Sequence, residues 1–154
     1  MKLPFRLLAA VVVAVASVAA SAAERIYPPV ERARPDIEAA LADAAKTHRR
    51  VLVDFGGNWC TDCIVLDRYI RDPGNAALME KHFVVVHVNV GDKGITDNFE
   101  VAERYGIPLK KGVPALAVLD AKGQVLYAQK NGEFESMRSM DPKSVNDFLT
   151  RWKR

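Results

Sequence analysis

Cysteine is scarce in this 154-residue chain: there are two, Cys60 and Cys63. So few cannot build the dense framework of bridges that holds very small secreted modules together. Charge of one sign is also scarce. With 22 Lys+Arg against 19 Asp+Glu the formal net charge is +3, too slight for an electrostatic nucleic-acid binder, so no nucleic-acid partner is expected. There is no internal repeat and no low-complexity tract. What is there is enough chain for one domain with a proper core, and too little for two of ordinary size.

The 49% apolar composition overstates that core, because much of it sits at the amino terminus. Lys2 and Arg6 make a basic start, Leu7 to Ala20 carry no charge, and Ala20, Ser21, Ala22 and Ala23 precede Glu24. This pattern predicts a secretory signal peptide over residues 1–23, cut after Ala23. The uncharged run to Ala23 is at the low edge of the roughly 20 residues a helix needs to span a bilayer, which leaves an uncleaved anchor as the competing reading. A lipoprotein site is excluded because no cysteine precedes Cys60. The mature protein, close to electroneutral, is expected to be periplasmic or secreted and free of the membrane. In such a compartment cysteine pairs can be held oxidised and an exposed dithiol needs a reason.

Pro28-Pro29 and mixed charges predict an extended lead-in over residues 24–34 that gives nothing to the core, followed by one domain over 35–154. Ile37, Ala40, Leu41, Ala44 and Ala45 have helical spacing, ending near His48. Val51-Leu52-Val53-Asp54-Phe55 reads as a buried strand broken by Gly56-Gly57. Asn58 is the expected cap of a helix through Cys60, Cys63, Leu66 and Ile70 that Asp72-Pro73-Gly74 stops, with a short helix over 75–81. Phe83 to Val90 reads as a second strand and Asp97 to Tyr105 as a helix closed by Gly106. Ala115 to Leu119 and Gln124 to Ala128, around Asp120-Ala121-Lys122-Gly123, read as a hairpin. Asp141-Pro142 opens the last helix, burying Val145, Phe148 and Leu149. Strands alternating with helices and then a hairpin imply an α/β domain whose mixed sheet is covered on both faces.

Cys60 and Cys63 stand at i and i+3 on a first helical turn, a spacing that permits a reversible disulfide. The helix amino end offers unpaired N–H groups and partial positive charge, worth up to about 2 kcal/mol to a thiolate in a favourable geometry. Cys60 is therefore the expected nucleophile, with Cys63 deeper along the helix. Three other readings compete. A zinc half-site would have to draw on His48, His82 and His87, with no second cysteine pair and no close histidine pair, so no metal is expected. A permanent bridge closing so short a loop constrains the unfolded chain only weakly. Two unrelated core cysteines would not need a glycine-rich strand-to-helix turn.

Val51 to Phe55, then Trp59-Cys60-x-x-Cys63, then Tyr105-Gly106-Ile107 and Gly112-Val113-Pro114 before a strand, resemble the thioredoxin superfamily over about residues 35–153. Within it the chain resembles secreted thioredoxin-like proteins and the thioredoxin-like domain of membrane thiol reductases. The resemblance implies the thioredoxin fold and thiol–disulfide exchange without a cofactor. It makes Asp54 the buried acid that moves the proton of Cys63. A carboxylate ending an apolar strand agrees, since desolvation favours its protonated form, although an Asp that merely satisfies backbone amides would look the same. It makes Pro114 a cis-proline and gives the backbone of Val113 to substrate binding. Trp59 would shape the docking surface, or else be a plain core side chain.

The departures are as telling. Thr61-Asp62 stands where thioredoxin has Gly-Pro, and a carboxylate beside a developing thiolate disfavours that anion, which points to a reductant. His87 falls where the family often has a lysine near the buried acid; the favoured reading is a side chain facing the surface, the other a titrating group that couples proton supply to pH. The expected protein is a monomer that acts on substrate proteins with disulfides and takes electrons from a membrane thiol reductase. Its rival is a non-catalytic binding module for peptides or a metal, with a static or ligating cysteine pair.

Overall fold

The computed structural model describes residues 25–154, so the signal-peptide expectation for 1–23 lies outside the described residues. The branched run around Val51 to Phe55 forms β1 (Arg50–Gly56), the central strand. It pairs in parallel with β2 (Phe83–Asn89) and antiparallel with β3 (Ala115–Leu119), which pairs antiparallel with β4 (Val125–Ala128). The sheet order is β2-β1-β3-β4, the mixed sheet expected from strand–helix alternation followed by a hairpin. Among the described residues five helices flank it: α1 (Ala33–Thr47), α2 (Thr61–Ile70), α3 (Pro73–His82), α4 (Phe99–Arg104) and α5 (Pro142–Trp152).

Two-residue alternation sends the side chains of β1 to opposite faces. Val51, Val53 and Phe55 pack with Val86, Val88, Ala115 and Ala117 against Ile37, Ala40 and Ala44 of α1. Leu52, Leu116 and Val118 meet Leu66 and Ile70 of α2 and Val145 and Leu149 of α5. Asp54, two residues after Leu52, therefore stands on the face beneath α2. Asp141 caps α5 by accepting the Lys143 N–H at 2.8 Å, with Pro142 in the first turn. Among the described residues no helix is long and apolar enough to cross a membrane.

Three local readings differ from the structure. Pro73 does not merely stop a helix: Asp72 accepts the Gly74 N–H at 2.9 Å and opens α3, where a proline loses no hydrogen bond. Asn58 does not cap α2, since its side chain is engaged by the backbone of Tyr27. The lead-in is not wholly extended and does give to the core. Val30–Arg32 forms a 3-10 turn, α1 starts at Ala33, and Tyr27 is fully buried. Its partners lie about thirty residues ahead, beyond the reach of local sequence patterns.

Candidate active site

The chain leaves β1 at Gly56, turns through Gly57, and enters α2 with Cys60 as its N-cap, in an extended conformation at φ −88° and ψ 108°. Cys60 and Cys63 are joined in a disulfide, their Cα atoms 5.2 Å apart. The Cys63 N–H donates to the Cys60 sulfur at 3.2 Å, so a free amide of the first turn is aimed at Cys60 Sγ. Cys60 is 6% exposed and Cys63 is fully buried. Access is therefore narrow, and it is to Cys60.

Opposite the pair lies the loop that leads into β3. The Val113 carbonyl oxygen is 3.7 Å from Cys60 Sγ, and the Val113–Pro114 peptide bond is cis. Gln129, itself buried, donates to the Pro114 carbonyl at 3.1 Å and accepts the Leu116 N–H at 3.3 Å, which clamps this loop. Trp59 is not a core side chain. It is 39% exposed, donates from Nε1 to the Gly91 carbonyl at 2.7 Å, and lies so close over Gly57 that a Cβ there would come within 2.5 Å of the indole nitrogen. Cys60, Cys63, Trp59, Val113 and Pro114 thus come together at one end of the sheet.

Asp54 is fully buried beneath them. Its Oδ2 accepts the Tyr27 hydroxyl at 2.7 Å and lies 3.0 Å from His87 Nδ1, while Oδ1 is buried with no hydrogen-bond partner among the described residues. The surface-facing reading of His87 is corrected here: in the parallel register His87 stands opposite Asp54, so both project from the same face. His87 Nε2 is 3.7 Å from Asp67 Oδ1, and Asp67 is paired with Arg71 at 3.0 Å. Burial pushes the imidazolium down, but the hydrogen bond and charge of Asp54, with the charge of Asp67, outweigh it and raise the His87 pKa above its ordinary value. Tyr27 moves the other way from use as an acid. Burial, then the charge of Asp54, raises its hydroxyl well above the usual range and keeps it a donor. Sequence reasoning missed Tyr27 and Gln129, and a tyrosine beside two prolines carries no local signal of a buried role.

The His87 shift has a consequence for stability. A native pKa raised above the unfolded value stabilises the fold fully below pH 6.5, and that contribution is lost as pH rises through the raised native value. Denaturant unfolding between about pH 5 and 9 should show a fall in stability on the alkaline side that is absent in His87→Gln.

Asp62, in the first turn of α2, is not a bare charge beside the sulfurs. Burial pushes its carboxyl up, but hydrogen bonds from the Arg138 backbone at 2.8 Å and guanidinium, with the guanidinium's charge, hold it below the usual carboxylate range. Its ion pair offsets the field at Cys60 from which the sequence argues for a reductant. Among the described residues, no group of three or more His, Cys, Asp or Glu is placed to hold a metal ion.

Comparison with known proteins agrees with this geometry. A family described as thioredoxin-like matches residues 32–121. The chain is similar to a disulphide isomerase from Xylella fastidiosa Temecula1, at 38% identity and a TM-score of 0.78, over 84% of this chain and 98% of that one. It is also similar to a thioredoxin from Thermus thermophilus, at 26% identity and a TM-score of 0.53, over 81% and 83% of the two chains. No curated protein sequence matches.

Proposed function

Because the chain belongs to the thioredoxin-like family of thiol–disulfide oxidoreductases, we propose that it acts from its dithiol form as a reductant of protein disulfides outside the cytoplasm. The observation that carries this reading is the cysteine pair itself, bonded across the first turn of α2 with an amide aimed at the outer sulfur. The Cys60 thiolate attacks a substrate disulfide and forms a mixed disulfide; Cys63 then attacks Cys60 Sγ, releases the reduced substrate, and leaves the bond seen in the structure. The substrate backbone docks along Val113 and Pro114, with Trp59 as an apolar wall. Turnover then draws electrons from a donor dithiol such as a membrane thiol reductase, and a monomer suffices.

The direction follows from how little holds the thiolate. Strong oxidants owe their poise to a heavily stabilised reduced form. Here one N–H, that of Cys63, donates to Cys60 Sγ among the described residues, and the partial charge of a single helix end is modest. Isomerisation is the second reading, favoured by the 38% identical relative described as a disulphide isomerase. It uses the same attack by Cys60 and differs in that a substrate thiol, rather than Cys63, resolves the intermediate. The rival of a static bridge in a binding module requires no attack at all.

Substituting Cys63 by serine separates exchange, in either form, from the static bridge. The variant, reduced and mixed with a disulfide-bonded protein, should accumulate a stable mixed disulfide on Cys60, visible by mass and released by dithiothreitol. Failure to recover any such species would remove the exchange reading.

A further inference from the structure

We propose that Tyr27 is the proton relay between Cys63 and the buried Asp54–His87 pair, an inference that rests on the exchange reading above. Its geometry is set at Gly56. A Cβ at that position would lie 2.4 Å from the Tyr27 hydroxyl oxygen and 2.8 Å from Cys63 Sγ. The hydroxyl and the sulfur therefore both lie within 3 Å of one point that glycine leaves open. On its other side the hydroxyl donates to Asp54 Oδ2 at 2.7 Å. Tyr27 and Cys63 are both fully buried, so a proton leaving the sulfur meets protein groups before bulk water.

The placement of Tyr27 is fixed from two directions. Its backbone N–H donates to Asn58 Oδ1 at 3.1 Å and its carbonyl accepts from Asn58 Nδ2 at 2.8 Å, which ties the lead-in to the turn that carries Trp59 and Cys60. Its ring meets the His87 ring edge to face at 5.2 Å. Plain packing would not need the hydroxyl at all. A buried hydroxyl gains by meeting a carboxylate, but it need not also sit beside the same glycine as the resolving sulfur.

The step balances without another reactant. As Cys63 prepares to attack, its S–H gives a proton to the Tyr27 oxygen while Tyr27 passes its own proton to Asp54 Oδ2, next to His87 Nδ1. The Cys63 thiolate then bonds to Cys60 Sγ, the bond from Cys60 to the substrate breaks, and its electron pair leaves with the substrate sulfur, which is reduced as the pair is oxidised. Because the tyrosine hydroxyl stays protonated, it receives and gives in the same event and never stands as a phenolate. The charged groups that set the receiving end are Asp54 of β1, His87 of β2, and Asp67 with Arg71 of α2.

Tyr27→Phe keeps the ring and removes the hydroxyl. The probe is oxidised glutathione, with the two steps read separately by mass. In a Cys63→Ser background, glutathionylation of Cys60 should be within about twofold with or without the hydroxyl, since Cys60 does not use the relay. With Cys63 present, decay of the Cys60–glutathione intermediate at pH 7 should slow roughly 10²-fold in Tyr27→Phe, and recover at alkaline pH as Cys63 ionises on its own. A merely structural role would lower the unfolding midpoint without giving that alkaline rescue. Should Tyr27→Phe fail to fold, Asp54→Asn leaves the hydroxyl in place but removes the carboxylate that takes the proton, and a step that does not slow there overturns the relay as well. Unchanged decay at pH 7 in a folded variant would overturn the relay, whereas loss of the first step in the Cys63→Ser background would overturn the exchange reading itself.

Discussion

Alanine at Gly56 should destabilise the protein by about 1–3 kcal/mol and slow disulfide reduction more than its loss of stability explains. Gly56 needs no unusual backbone angle; what it needs is the absence of a side chain. The added methyl would come within 2.4 Å of the Tyr27 hydroxyl oxygen, 2.6 Å of its ring carbon and 2.8 Å of Cys63 Sγ, all closer than non-bonded atoms tolerate. None of these can yield cheaply. The tyrosine ring is rigid, fully buried and held by Asp54, and the sulfur is fixed by α2 and by its bond to Cys60. Overpacking of this kind displaces backbone or forces side chains off their rotamers. Either displacement moves Cys63 relative to Cys60, so the fault falls on the reacting atoms. Denaturant unfolding reads the first effect and single-turnover reduction reads the second. In a Tyr27→Ala background most of the collision is gone, and the cost of the methyl should shrink, a non-additivity expected of groups in contact. Equal cost in both backgrounds would mean that the tyrosine is not what occupies the space.

The elements that the sequence discloses are those built from local pattern. The branched run of β1, the strand from Phe83, the turn Asp120 to Gly123 and the Asp141-Pro142 start of α5 each carry their own signal, and all appear where expected. Asp120 illustrates why: its carboxylate accepts the N–H groups of Lys122 and Gln124, so the turn is encoded within five residues. The cysteine pair is equally local. What was hidden depends on register or on distant chain. His87 reads as a side chain facing the surface until the parallel alignment sets it opposite Asp54. Arg138 reaches Asp62 across 76 positions and offsets the field of the charge on which a sequence-based potential would rest. Tyr27 follows the same rule, because its burial is decided by a carboxylate 27 residues later and an asparagine 31 residues later.

Reversibility of the Cys60–Cys63 bond is the claim on which everything else stands, and its expected signature is all-or-none. The protein is equilibrated across a series of glutathione and dithiothreitol redox buffers, quenched with an alkylating agent and weighed. The whole population should pass from no alkyl groups to two in a single two-electron transition, with a midpoint between about −200 and −300 mV, nearer to thioredoxin than to strong oxidants of the DsbA type. Cys60→Ser should show no such transition, which assigns it to the pair. A bond that stays closed below about −300 mV, or a dithiol that holds stoichiometric zinc, would contradict the account.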